Sequence, residues 1–199
     1  MVVLVAYATR HGATAAIAER IAAGLCRSGM TAEALPVHAV QDVRAYDAVV
    51  LGGAAYLFHW HTDATDFART YRVALRERPV WLFSSGPLGA ELADKDGGEG
   101  LQTCRPREFQ ELSALVRARG ARVFPGTFDP HARRPGTVGE HLFALLPAAK
   151  PARPTDDVRD WPAIDAWAVQ IAAALTCVHT GLQSPQGRVE ARHAPRLDA

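Results

Sequence analysis

Val2-Val3-Leu4-Val5-Ala6-Tyr7-Ala8-Thr9-Arg10-His11-Gly12-Ala13-Thr14 is the stretch whose reading decides the fold. An apolar run long enough for one buried strand meets a polar turn. Beyond it Ala15, Ile17, Ala18, Ile21, Ala22 and Leu25 recur at helical spacing until Gly29 stops them. A strand therefore passes through a short turn into a helix. That turn carries hydroxyls at Thr9 and Thr14, the Arg10 cation, a glycine that lets the backbone come close, and the free N–H groups of a helix start. Together these hold a phosphate. The competing reading is a plain strand-to-helix connection with Thr14 as its N-cap.

Working outward, strand-like and helix-like periods alternate, the pattern of a parallel sheet covered by helices on both faces. Residues 31–37 read as a strand nearer an edge, and 47–53 as a continuously apolar central strand. A helix over 64–76 follows. A fourth strand is expected over 79–85, a helix over 107–119, a fifth strand over 122–128 and a last helix over 161–178. Two regions interrupt the alternation. Residues 89–106 are rich in Gly, Asp and Glu and read as a mobile surface loop that could serve as a lid. The proline-rich segment 131–157, with Leu142-Phe143-Ala144-Leu145-Leu146 inside it, reads as an insertion before the last helix. The expected organisation is one domain over 1–178 and a flexible tail over 179–199.

Composition narrows the function classes. A chain of 199 residues with 48% hydrophobic content supports one sizeable core. A formal net charge of +1 supplies no global field for nucleic acid. No run reaches membrane-span length and the first strand lacks the flanks of a secretory signal, so a cytoplasmic protein without a transmembrane segment is expected. Cys26, Cys104 and Cys177 are widely spaced and form no Cys-x-x-Cys pair, so no disulfide framework and no metal site is expected.

In a doubly wound sheet, ligands sit at the carboxyl ends of the strands beside a topological switch point. Three such ends carry unusual loops. The first is Thr9, Arg10, His11, Gly12, Ala13 and Thr14. The second runs through Gly52, Gly53, Ala54, Ala55 and Tyr56 to His59, Trp60 and His61, with small residues for close approach and aromatic side chains after them. The third is Ser84, Ser85, Gly86, Pro87, Leu88 and Gly89, a compact turn of hydroxyls and amides. A phosphate cradle, an aromatic wall and an amide-rich loop suit flavin mononucleotide, FMN. Trp60 is either that wall, with Tyr56 beside it, or a core aromatic at a helix start. His59 and His61 lack a third metal ligand, and His61 is the weak candidate for a proton donor. Ser84 and Ser85 have no nucleophile elbow around them. Trp161 and Trp167 read as packing residues.

On these residues the chain resembles flavodoxin, and more specifically the short bacterial flavodoxin-domain proteins related to menaquinone-dependent protoporphyrinogen dehydrogenase. The resemblance rests on Tyr7 to Thr14 with Ile17-Ala18, on Tyr46-Asp47, on His59-Trp60-His61 and on Arg159-Asp160-Trp161. It implies a three-layer α/β doubly wound sheet of five parallel strands in order 2-1-3-4-5, FMN bound noncovalently, and redox chemistry. His11 departs from the family's loop, where a hydroxyl is expected, and Arg10 is placed to supply a charge-assisted bond instead. The reading that follows is an FMN-dependent oxidoreductase passing electrons from a reduced organic substrate, protoporphyrinogen IX being the candidate, to a quinone or a similar acceptor. The alternatives are an electron carrier with a redox-protein partner and a flavin-free binding or regulatory module. A homodimer is the assembly considered.

Overall fold

The computed structural model describes residues 1–10, 12–56, 59–86, 105–125 and 159–181. His11, Pro87, residues 89–104 of the expected 89–106 loop, the 131–157 insertion and the tail beyond 181 lie outside them. The described elements are β1 (Val2–Ala8), α1 (Ala13–Arg27), β2 (Thr31–Pro36), β3 (Ala48–Tyr56), β4 (His59–Trp60), α2 (Thr62–Thr70), α3 (Arg72–Arg76), β5 (Val80–Gly86), α4 (Glu108–Val116), β6 (Gly120–Pro125) and α5 (Trp161–Gly181).

Five strands pair in parallel in the order β2-β1-β3-β5-β6, and β4 pairs antiparallel with β3. This is the expected 2-1-3-4-5 path, with the two-residue β4 taking one number. β1, β3 and β5 are the inner strands, which is why their residues run apolar without alternation. Successive side chains serve opposite layers. Val3, Val5, Val50 and Phe83 pack under α1 and α5, whereas Leu4, Ala6, Leu51 and Leu82 pack under α2, α3 and α4. The two helices of the first layer are pinned by Asp165, which accepts from Arg20 Nε at 2.8 Å and from Arg27 Nη2 at 3.0 Å.

The helix ends explain where the sequence boundaries shift. Gly29, at φ +84°, ends α1 as expected, with the Met30 N–H reaching back to the Leu25 carbonyl. The helix expected over 64–76 begins earlier, at Thr62, and is interrupted for one residue at Tyr71, although hydrogen bonds of the i to i−4 type continue on both sides. The helix expected to reach 119 stops at Val116, because Arg117 turns left-handed at φ 54° and the Ala118 N–H closes on the Ser113 carbonyl.

Two motifs prove to be braces. The Tyr46 hydroxyl donates to Glu33 at 2.6 Å, and that carboxylate together with burial pushes its pKa up to about 12. Asp47 accepts from the Val2 N–H at 2.7 Å. Both tie the entry of β3 to its neighbours at the end of the sheet away from the loops discussed below. Asp160 accepts from the Ala163 N–H at 2.9 Å and so caps α5. Trp167 is core, edge-on to Phe124 at 5.5 Å, and Trp161, half-buried, packs against the same cluster with Arg159 4.4 Å from its ring centre.

Candidate functional site

Parallel register sends the three loops off the same edge of the sheet. Ala8, the last residue of β1, lies opposite Gly53, Gly53 opposite Ser84, and Ala54 opposite Ser85, and β3 and β5 run on to Tyr56 and Gly86, so all three loops leave the carboxyl edge, where sheets of this kind have their ligand crevice. The structure therefore brings together the described members of all three loops.

The first loop is built around Gly12. Its φ of 85° and ψ of −15° place it in the left-handed region as the N-cap of α1, and no heavy atom would meet an added Cβ within 4 Å. Conformation, rather than space, demands glycine there. The Thr9 hydroxyl accepts from the Gly12 N–H at 3.0 Å and so shapes the turn. Among the described residues no side chain caps α1, and no acidic residue stands in its first turn. The first N–H groups of α1, those of Ala13, Thr14 and Ala15, have no acceptor within the helix. Thr14 is not the N-cap. It sits two positions further in, fully buried, with its hydroxyl 2.6 Å from that of Ser85.

The second loop is a hairpin. Ala55 pairs with Trp60 and Tyr56 with His59, and the His61 N–H then donates to the Ala54 carbonyl at 2.8 Å, so the chain returns onto its own strand. This corrects two expectations. Trp60 is a core residue, 4% exposed: its indole N–H donates to the Gly53 carbonyl at 2.9 Å and its ring meets Phe109 edge-on at 5.2 Å. A ring so enclosed leaves no face for a stacked ligand. The small residues before it also do not clear space for one, because a Cβ on Gly52 would meet the Phe83 ring at 2.0 Å and one on Gly53 the Trp60 indole at 2.6 Å. Each glycine receives a ring from a strand paired with β3, Phe83 from β5 and Trp60 from β4.

His61 caps α2, its Nδ1 accepting from the Asp63 N–H at 3.2 Å, which puts the proton on Nε2. Burial lowers its pKa, with Asp63 opposing and the Arg10 cation adding to the effect, so the neutral ring is favoured. Sequence reasoning missed Glu108. From the first turn of α4 its carboxylate takes His59 Nδ1 at 2.7 Å and the Trp60 N–H at 3.0 Å. Burial, the largest influence, works to raise the Glu108 pKa, but the bonds from His59, from the Trp60 N–H and from its own N–H outweigh it and leave the carboxyl below its ordinary value. An acid in a first helical turn is already explained by the helix dipole, so nothing in the sequence flagged it.

The third loop begins with Ser84 and Ser85, both buried, and Gly86, whose added Cβ would press on Ala55 at 2.9 Å. The Ser84 hydroxyl has no hydrogen-bond partner among the described residues. Those residues contain no group of three or more His, Cys, Asp or Glu able to hold a metal ion, and no helix long and apolar enough to cross a membrane.

Residues 4–131 match the family described as Flavodoxin domain. Protoporphyrinogen IX dehydrogenase [quinone] of Escherichia coli strain K12 is 29% identical over 86 residues, which cover 42% of this chain and 48% of that protein. The chain thus matches about half the length of its curated relatives. Among solved structures, a flavodoxin from the domain Archaea superposes with TM-score 0.57 at 15% identity, covering 88% of this chain and 99% of that one. A mutant flavodoxin from Pseudomonas aeruginosa gives TM-score 0.54 at 14% identity, with the same coverage. At these identities the structural likeness is one of fold. The family implies a flavin, typically FMN, and an uncapped helix start with no acid beside it fits a phosphate group.

Proposed function

The chain belongs to the flavodoxin-domain family, and on that premise we propose that it is an FMN-dependent oxidoreductase passing electrons between a reduced organic substrate and a quinone. The observation that carries the reading is the open start of α1, held to the end of β5 by Thr14 and Ser85. The N–H groups of Ala13, Thr14 and Ala15 would hold the phosphate, with the Arg10 guanidinium adding a charge-assisted bond. Thr9 and Thr14 act through their hydroxyls on the protein: Thr9 fixes Gly12, and Thr14 fixes α1 to β5. The backbones of Ala54, Ala55, Tyr56, Ser85 and Gly86 would flank the ring, with Pro87 and Gly89 continuing that loop.

Bound FMN supplies a ring that takes up and releases one or two electrons with protons. His61 holds a proton at Nε2, fixed there by the Asp63 N–H on Nδ1. It is the side chain suited to exchange a proton beside the site, and its neutrality keeps a second cation away from Arg10. Trp60 and Phe109 exclude water from beneath the second loop. Protoporphyrinogen is the substrate to try first, because the curated relatives are named for it.

Titration with FMN and riboflavin, followed by absorbance, tests the cofactor. Arg10→Ala should weaken FMN on the order of tenfold or more and leave riboflavin nearly unchanged. A protein that takes up neither flavin sinks the reading and favours a flavin-free binding module. With FMN loaded, quinone-coupled oxidation of protoporphyrinogen is the expected activity, menadione serving as acceptor. Ready electron exchange with a flavodoxin reductase and no small-molecule turnover would make the chain a carrier instead.

A further inference from the structure

Glu108 occupies an unusual position for a surface acid. It starts α4, yet both of its carboxylate oxygens are spent on a two-residue strand that belongs to another part of the chain, 48 and 49 residues away in sequence. Its side chain is 20% exposed, whereas His59 is 57% exposed. On one side β4 is held by β3, and on the other the Trp60 N–H goes to Glu108. Charge-assisted bonds of this kind are about twice as strong as neutral ones. The hairpin that bears Tyr56 at one end of its turn and His61 just beyond β4 is thus held at two points on one carboxylate.

We propose that Glu108 is a positioning residue that fixes the β3–β4 hairpin, through His59 Nδ1 and the Trp60 N–H, in the place it takes at the crevice over the ends of β3 and β5. The proposal rests on the flavin reading above for its functional consequence. Trp60 makes the hold effective. Its ring is locked between Gly53 and Phe109, and Phe109 is the residue next to Glu108, so one turn of α4 grips the hairpin by its backbone and by its core side chain. If Glu108 loosens, the ring side of the site shifts, while the phosphate side, built on α1, does not.

That asymmetry provides the test. Glu108→Ala should weaken FMN and riboflavin by the same factor, on the order of tenfold. Glu108→Gln, which keeps an oxygen for the Trp60 N–H and a polar partner for His59, should restore most of that affinity. Glu111→Ala, one turn along the same helix, serves as the control for general effects on α4 and should leave both flavins unaffected. Amide exchange, read on the flavin-free protein, gives an independent measure. The Trp60 N–H should be protected in the unmutated chain and in Glu108→Gln, and should exchange much faster in Glu108→Ala. A Trp60 amide that exchanges freely in the unmutated chain overturns the clamp whatever flavin does. Flavin affinity that Glu108→Ala leaves unchanged overturns the positioning role alone. Loss of FMN with riboflavin retained would place Glu108 on the phosphate side and also overturn it. Absence of any flavin binding by the unmutated chain overturns the functional reading and, with it, this consequence.

Discussion

The hydroxyls of Thr14 and Ser85 lie 2.6 Å apart, both buried, and join the first turn of α1 to the end of β5 across 71 residues of sequence. This bond holds the start of the candidate phosphate helix against the strand whose loop faces the same crevice. Removing one partner leaves the other buried without it, which costs more than removing both. Thr14→Val and Ser85→Ala should each destabilise the fold by about 1–3 kcal/mol. The double variant should lose clearly less than their sum, as a urea-denaturation double-mutant cycle would reveal. Strict additivity would mean that the two hydroxyls do not interact.

Arg117 is the one described non-glycine residue at positive φ. A left-handed conformation costs an L-residue roughly 1–2 kcal/mol, and glycine avoids most of it at the price of a freer unfolded chain. Arg117→Gly should therefore stabilise the protein by about 0.5–1 kcal/mol and raise its melting temperature. A fall in melting temperature would be incompatible with the left-handed end of α4.

His61 makes stability depend on pH. Its folded pKa lies below the ordinary 6.5 because of burial and Arg10, with Asp63 opposing. The unfolded chain thus takes up the proton first as pH falls. The contribution is fully present above 6.5 and is lost as pH drops from there through the folded pKa. His61→Asn keeps an oxygen to accept the Asp63 N–H and removes the titration. Denaturation midpoints measured from pH 7.5 downward should therefore decline less steeply below 6.5 in the variant. Parallel curves would remove His61 from the account.

Gly52 and Gly53 predict a ranking. A methyl on Gly52 falls 2.0 Å from the fully buried Phe83 ring, and one on Gly53 falls 2.6 Å from the Trp60 indole. Overpacking commonly costs about 1–3 kcal/mol and more where a ring must leave its place. Gly52→Ala should be the more damaging, and Phe83→Leu should partly rescue it. Failure of the rescue, with the fold intact, would show that the strain lies elsewhere.

Much of the fold was legible because its signals are local. Val3 to Ala6 and Val49 to Leu51 are apolar runs that only an inner parallel strand explains, and Gly29 stops a helix whichever partners it has. The hairpin was not legible. Two residues, His59 and Trp60, carry no period, and their pairing with Tyr56 and Ala55 depends on a return of the chain that no local signal marks. The same limit hid the use of Gly52 and Gly53: sequence exposes the missing side chains, while Phe83 and Trp60, which fill the space, come from elsewhere. Glu108 is the clearest case. Its composition-level role as a helix-start acid conceals a bond made to another element. For the candidate site, the three loops were legible as loops, but the division between hydroxyls that shape the protein and N–H groups left open at α1 needed coordinates.

The two rings seated on Gly52 and Gly53 have a consequence for how the sheet aligns during folding. Consecutive residues of one strand point to opposite sides, so the pair forms two sockets, one per layer, offset by a single step. Sliding β3 on β5 by one residue, so that Leu51 takes the place of Gly52 opposite Phe83, would fill that socket and shut the ring out. That slip of the central strand is thus rejected, and Gly53 level with Ala8 on one side and Ser84 on the other is what the correct alignment leaves behind.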